Sequence, residues 1–167
     1  QLTAALLCAV ILSACGGAPA DADYTCTVSI SCATILDNMD QCAESKKELV
    51  PADGVILPPT EVAFAEGESA FDVLQRVCRD NGIHLESKFT PVYNSAYIQG
   101  IHNIYEFDVG KLSGWMYAVN DWFPNYGCSL YQVQDGDVIR WVYTCDLGAD
   151  VGGGQAAGDG QQEGAST

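Results

Sequence analysis

Positive charge is what this sequence has least of. Seven Lys and Arg stand against 22 Asp and Glu, a formal net charge of −15, and the basic residues form no stripe. Binding to nucleic acid or to anionic lipid headgroups needs clustered cations, so both are excluded as electrostatic partners. Histidine is nearly missing too: His84 and His102 are far apart in sequence, and neither falls in a triad or metal-ligand spacing. No Cys-x-x-Cys pair occurs, which removes the redox and zinc readings. No Gly-rich loop precedes a helix to cradle phosphate. Asp135-Gly136-Asp137 lacks the further oxygen ligands of a calcium loop and reads as a tight turn. Glu66, Glu68 and Asp72 gather where a helix begins, a place where the helix dipole stabilises carboxylates without chemistry. The residues thus point to no catalysis, no metal and no cofactor.

Long apolar runs are equally scarce. The one at residues 1–15 is shorter than the roughly 18–20 residues that span a bilayer and reads as a signal h-region. It ends in Leu12-Ser13-Ala14-Cys15, a bacterial lipobox pattern, followed by a Gly/Ala/Pro/Asp linker at 16–23. Cys15 is therefore the expected lipidation site, and the protein is expected to be extracytoplasmic, held to the cell membrane only through that lipid. With Cys8 in the signal and Cys15 lipidated, Cys26, Cys32, Cys42, Cys78, Cys128 and Cys145 remain. An even number in an exported domain allows up to three disulfides. Cys26 and Cys32 cannot pair with each other, because six residues along a strand span about 20 Å and a disulfide bridges at most ~7 Å between Cα atoms. Residues 148–167 are Gly, Gln, Ala and acid with almost nothing to bury, and are expected to be disordered. What is left, 24–147, is enough for one domain with one modest core, expected to be a monomer.

Within that domain residues 24–32 alternate cleanly and predict a strand with one buried face. A short helix is expected over 33–42, strands over 55–57 and 60–65 on either side of Pro58-Pro59, and a helix over 70–81. That helix has Ser69 as N-cap, Asp72 in a capping-box position and Gly82 placed to end it. A strand follows over 83–89. Residues 92–104 fit either a strand or an irregular helical turn, and the last core strand is 138–145. The pattern is that of an α+β sheet with one main helix packed across it.

The centre of the domain is aromatic. Trp115, Tyr117 and Val119 alternate with Met116, Ala118 and Asn120, the pattern of a strand packed on both faces, and a loop rich in rings follows, Asp121-Trp122-Phe123-Pro124-Asn125-Tyr126-Gly127. Rings on a loop either cover a core edge or face a partner. Tyr97, Trp115, Tyr117, Trp122, Phe123 and Tyr126, with Asn120 and Asn125 as hydrogen-bonding amides, suit a flat and weakly polar small molecule. The same set suits a protein or glycan partner at the cell surface. A concave pocket would favour the first, a flat exposed patch the second.

Gly114-Trp115-Met116-Tyr117, Val119-Asn120, Tyr131 and Asp135-Gly136-Asp137 leading into Trp141, with 69–74 and 97–104, resemble a bacterial domain family. It is the family similar to the C-terminal domain of transcobalamin and intrinsic factor, found in surface lipoproteins, and the likeness covers roughly 60–145. The resemblance implies a β-grasp-like mixed sheet, in which the first and last strands run parallel and adjacent. That would set Cys32 and Cys145 at matching ends as a disulfide. It also implies a corrinoid such as cobalamin as the ligand, although in those proteins a large helical domain supplies much of the site.

Overall fold

The computed structural model describes residues 17–19 and 21–153. The signal, Cys15 and the tail from 154 onward lie outside them. In chain order the elements are β1 (Tyr24–Ser31), β2 (Val55–Phe64), α1 (Ala70–Asp80), β3 (Leu85–Thr90), β4 (Ser95–Ile101), β5 (Ile104–Tyr105), β6 (Gly114–Val119) and β7 (Val138–Thr144). They build a four-stranded sheet ordered β2-β1-β7-β6 and a three-stranded sheet ordered β3-β4-β5. β1 and β7 run parallel with Ile30 beside Trp141, whereas β1 and β2, and β6 and β7, are antiparallel. The expected mixed α+β class with one main helix holds.

Alternation in β1 does what the sequence predicts: Cys26, Val28 and Ile30 are buried and the residues between them are not. The strands expected at 55–57 and 60–65 are one strand. Pairing jumps from Val28 opposite Thr60 to Ile30 opposite Leu57, so Pro58 and Pro59 occupy a bulge against Ser29. Proline has no N–H to donate, and the bulge is tolerated because β2 is an edge strand with solvent beside both prolines. In place of the helix expected over 33–42 there is a 3-10 helix at Ala33–Asn38 without a side-chain cap, and a second one at Glu44–Leu49.

α1 is closed as its sequence indicates. The Asp72 N–H donates to Ser69 Oγ at 3.2 Å and the Ser69 N–H donates to Asp72 Oδ2 at 2.9 Å, a reciprocal cap worth about 1 kcal/mol. Gly82 takes φ +64 just past the end. Arg76 of α1 is buried; it pairs with Glu68 and donates to the Ala63 carbonyl, fastening the helix to the end of β2. Glu68 and Asp72 of the acidic cluster at this terminus are thus spent on the ion pair and the cap. Residues 92–104 resolve into β4, a tight turn at His102-Asn103 with φ +56 and +59, and β5. Gly100 is required there, because a Cβ would meet the Tyr105 ring at 2.8 Å.

Among the described residues no disulfide is formed, the Cys32–Cys145 pair included, and Cys145 Sγ lies 3.8 Å from the Thr34 hydroxyl. Burial in apolar surroundings disfavours the thiolate and pushes Cys26, Cys32, Cys78 and Cys128 up to about 12. Residues 148–153, part of the segment expected to be disordered, carry a 3-10 turn at Ala149–Val151. Asp150 accepts hydrogen bonds from the Thr144 hydroxyl and the Cys145 N–H, and the Gly148 N–H donates to Thr144 Oγ1 at 2.7 Å. A sparse composition hides this, since the anchoring groups are one carboxylate and the backbone. No helix among the described residues is long and apolar enough to cross a membrane.

Candidate functional site

β6 is buried on both faces, and its two faces differ. On one side Ala118 packs with Phe123 and Val142, backed by Met116 and Val151. On the other, Trp115 meets Tyr143 edge-on at 5.2 Å and Tyr117 stacks on Trp141 at 5.4 Å. β4 packs across this second face, and between the two sheets opens a cleft of about 490 Å³. Six rings line it: Tyr93, Tyr97, Trp115, Tyr117, Tyr126 and Trp141. Thr90, Ser95 and Asn125 add neutral polar groups, and no charged side chain is among the lining residues. The volume falls within the roughly 300–1,000 Å³ of small-molecule sites.

The walls are fixed by bonds the chain makes to itself. The Tyr117 hydroxyl donates to the Tyr126 carbonyl at 2.9 Å, and the Ala96 N–H donates to Ser129 Oγ at 2.9 Å. Gly127 lets the aromatic loop lie flat on β4, because a Cβ there would sit 2.1 Å from Ser95 Oγ. At the rim the Tyr97 hydroxyl donates to Glu106 Oε2 at 2.6 Å; burial and this carboxylate push the phenol up to about 12. Burial likewise raises Tyr117 above the ordinary phenol value. Both therefore remain neutral donors near neutral pH.

Of the binding residues expected from sequence, Tyr97, Trp115, Tyr117, Asn125 and Tyr126 come together in the cleft. Asn120, Trp122 and Phe123 do not line it. Asn120 and Asp121 form a two-residue turn with φ +50 and +67, and Val119 and Trp122 exchange backbone bonds across it. The Asn120 amide is used internally, donating to Asp137 Oδ1 at 2.8 Å and accepting from the Val138 N–H at 2.9 Å. The turn throws Trp122 outward, 52% exposed, and Phe123 inward to the closed face of β6. The Asn-Asp pair, two residues that tolerate positive φ, was the available signal for this turn. Ser95 and Trp141 are lining residues that a reading centred on the loop passes over; their approach depends on how the second sheet docks.

The three tryptophans differ in one further respect. Trp115 donates its indole N–H to the Ile104 carbonyl at 2.8 Å, and Trp122 is open to solvent. Trp141 is 2% exposed, and its indole N–H has no acceptor among the described residues. A buried unmatched donor costs about 1–3 kcal/mol.

Asp135-Gly136-Asp137 is a turn, as expected. Its Gly136 N–H donates to the Thr25 carbonyl at 2.8 Å, and Asp137 accepts from Tyr131, Asn120 and the Gln134 N–H. Among the described residues no three His, Cys, Asp or Glu side chains are placed to hold a metal ion. His84 is exposed beside the Tyr105 ring, and His102 occupies a turn.

An aromatic cleft between a mixed four-stranded sheet and a small antiparallel one describes a fold with solved counterparts. Over 74% of its length this chain is similar to haptocorrin solved in complex with Cbi, with TM-score 0.50 and 14% identity. It spans 26% of that chain, and the likeness is one of fold. A proposed metal binding protein from Ruminococcus gnavus matches 73% of this chain and 97% of its own, with 15% identity and TM-score 0.43. Residues 67–145 match the family described as a domain of unknown function, DUF4430. With the haptocorrin likeness, this bears out the transcobalamin-like resemblance seen in the sequence. No curated protein matches the chain.

Proposed function

We propose that this protein is a non-catalytic ligand-binding module, lipid-anchored through Cys15 on the outer side of the bacterial cell membrane, whose cleft takes a flat, weakly polar small molecule. The observation that carries the reading is the concave site itself: six rings around about 490 Å³, with no charged lining group and no convergent acid, base or nucleophile. Rings supply contact area at low entropic cost, and Ser95 and Asn125 fix orientation. A corrinoid is our leading ligand, supported by the fold shared with a protein solved with Cbi. It would enter this cleft with one edge and leave the rest of its surface uncovered. The order β2-β1-β7-β6, with β1 and β7 parallel and α1 following β2, supports a β-grasp fold for residues 24–153.

Tryptophan fluorescence tests the reading, with cobalamin and cobinamide as titrants and free tryptophan as the inner-filter control. Saturable quenching that weakens in Tyr126→Ala is expected; quenching no greater than the control would remove the corrinoid. Metabolic labelling with a palmitate analogue should mark the protein and be lost in Cys15→Ser.

One observation favours a second reading, a surface module that adheres to a protein or glycan. Trp122, Phe89 and Tyr93 are each more than half exposed, at 52%, 59% and 71%. If Trp122→Ala abolishes attachment to cells or cell-wall glycan while Tyr126→Ala does not, this reading replaces the first.

A further inference from the structure

The outer edge of β3 carries an inference independent of the cleft. Among the described residues only β4 pairs with this strand, so its other side is open to a further one. The other long edges are guarded: β2 carries Pro58 and Pro59, and β6 is buried or half-buried throughout. β3, by contrast, exposes Glu86, Ser87, Lys88 and Phe89 in succession. A lone Lys on an edge ordinarily repels a passing strand. Here a Glu stands two residues away, and Lys88 is not among the five basic residues that form ion pairs within the chain. Glu86 Oε2 accepts from the Tyr105 hydroxyl at 2.7 Å, which holds the carboxylate at the strand surface and leaves its second oxygen for a cation.

Register decides which strand fits. Backbone N–H and C=O groups point to alternate sides along a strand, and facing residues of an antiparallel pair must both point inward or both outward. A strand that pairs with a copy of itself about a two-fold axis is therefore centred on a residue, never between two. Centring on Glu86 or on Lys88 sets like charges face to face. Centring on Ser87 sets Glu86 opposite the partner's Lys88, Lys88 opposite the partner's Glu86, and Leu85 opposite the partner's Phe89. We propose that β3 is a self-complementary edge through which two copies of this chain pair antiparallel about Ser87, joining their three-stranded sheets into one. The axis of such a pair is perpendicular to the sheet, so both clefts lie on the same side of it. A dimer thus takes the place of the monomer expected from composition.

Disulfide cross-linking of the full chain, in whole cultures of the cells that produce it, tests this and is read as the dimer band on a non-reducing gel. In Ser87→Cys the two new thiols face each other about 4.5–5.5 Å apart at Cα, a separation that a disulfide spans. In Phe89→Cys, also exposed on the same strand, an offset of four residues puts them about 13 Å apart, and no bridge forms. The wild-type chain gives the background. Ser87→Cys is expected to yield at least about tenfold more dimer than Phe89→Cys. Adding either Glu86→Lys or Lys88→Glu to Ser87→Cys sets like charges opposite each other and should remove most of that band. Producing those two charge variants together, under different tags, should restore it as a mixed dimer, because each Lys then faces a Glu; a variant that merely unfolds is not rescued in this way. Equal bands from Ser87→Cys and Phe89→Cys overturn the inference, and so does a mixture that links no better than the charge variants alone. Either failure leaves the ligand-binding reading of the cleft untouched.

Discussion

The two faces of β6 carry the same kind of residue and end in opposite states. Met116 and Ala118 are covered by Phe123 and by the segment after β7, so closely that a Cβ on Gly153 would lie 3.0 Å from Met116 and 3.2 Å from Phe123. Trp115 and Tyr117, one residue away along the strand, face a sheet that leaves a cleft. An apolar face is filled only if some other part of the chain arrives with matching shape. On the closed side a turn and a short C-terminal segment do so; on the open side the β3–β4 hairpin crosses and leaves volume between the rings.

That contrast can be broken, beginning with the largest expected effect. Burial raises the Cys26, Cys32, Cys78 and Cys128 thiols from an ordinary 9 to about 12, and burial with a bonded carboxylate raises the Tyr97 and Tyr131 phenols from 10 to about 12. In the unfolded chain these groups lose their protons first. Stability is therefore fully present below pH 9, falls as pH rises through the interval up to 12, and ends in alkaline unfolding. Far-UV circular dichroism against pH checks this, and a flat profile to pH 12 would contradict it. Phe123→Ala should lower the unfolding free energy by about 3–5 kcal/mol, because it empties the closed face. A urea midpoint that stays put would mean the two faces do not differ as described. Gly148→Ala adds a Cβ at φ +95 that would meet Met116 Sδ at 2.9 Å, and should cost about 1–2 kcal/mol by the same assay. The smallest stability effect belongs to the open side: Tyr126→Ala should shift stability by no more than about 1 kcal/mol while weakening whatever the cleft binds. A large loss of stability there would make Tyr126 core and not rim.

Much of the fold was legible in the residues. The alternation of β1, β6 and β7 and the Ser69/Asp72 cap of α1 are local signals, and each produced the element it indicated. The misreadings came from context. Pro58-Pro59 looked like a break and is a bulge, because only the sheet order reveals that β2 has a free edge. The segment 148–153 looked empty of core residues, and is held by Asp150 reaching back to Thr144 and Cys145. Five of the eight expected binding residues reached one cleft because they sit on β4, on β6 and on the loop end clamped by Gly127. The remaining three were misplaced by a single turn, where positive φ at Asn120 and Asp121 reverses the chain and sends Trp122 and Phe123 to opposite sides.

The sequence alone determined the balance of charge that excludes phosphate partners, the strand and helix periods, and the aromatic character of the centre. These depend on residue type and spacing within a few positions of one another. Only the tertiary structure decided which aromatic face closes and which stays open, that Trp115 finds the Ile104 carbonyl, and that the Trp141 indole finds no acceptor among the described residues. Those outcomes depend on distances between segments far apart in the chain, and such distances are set by how the two sheets dock.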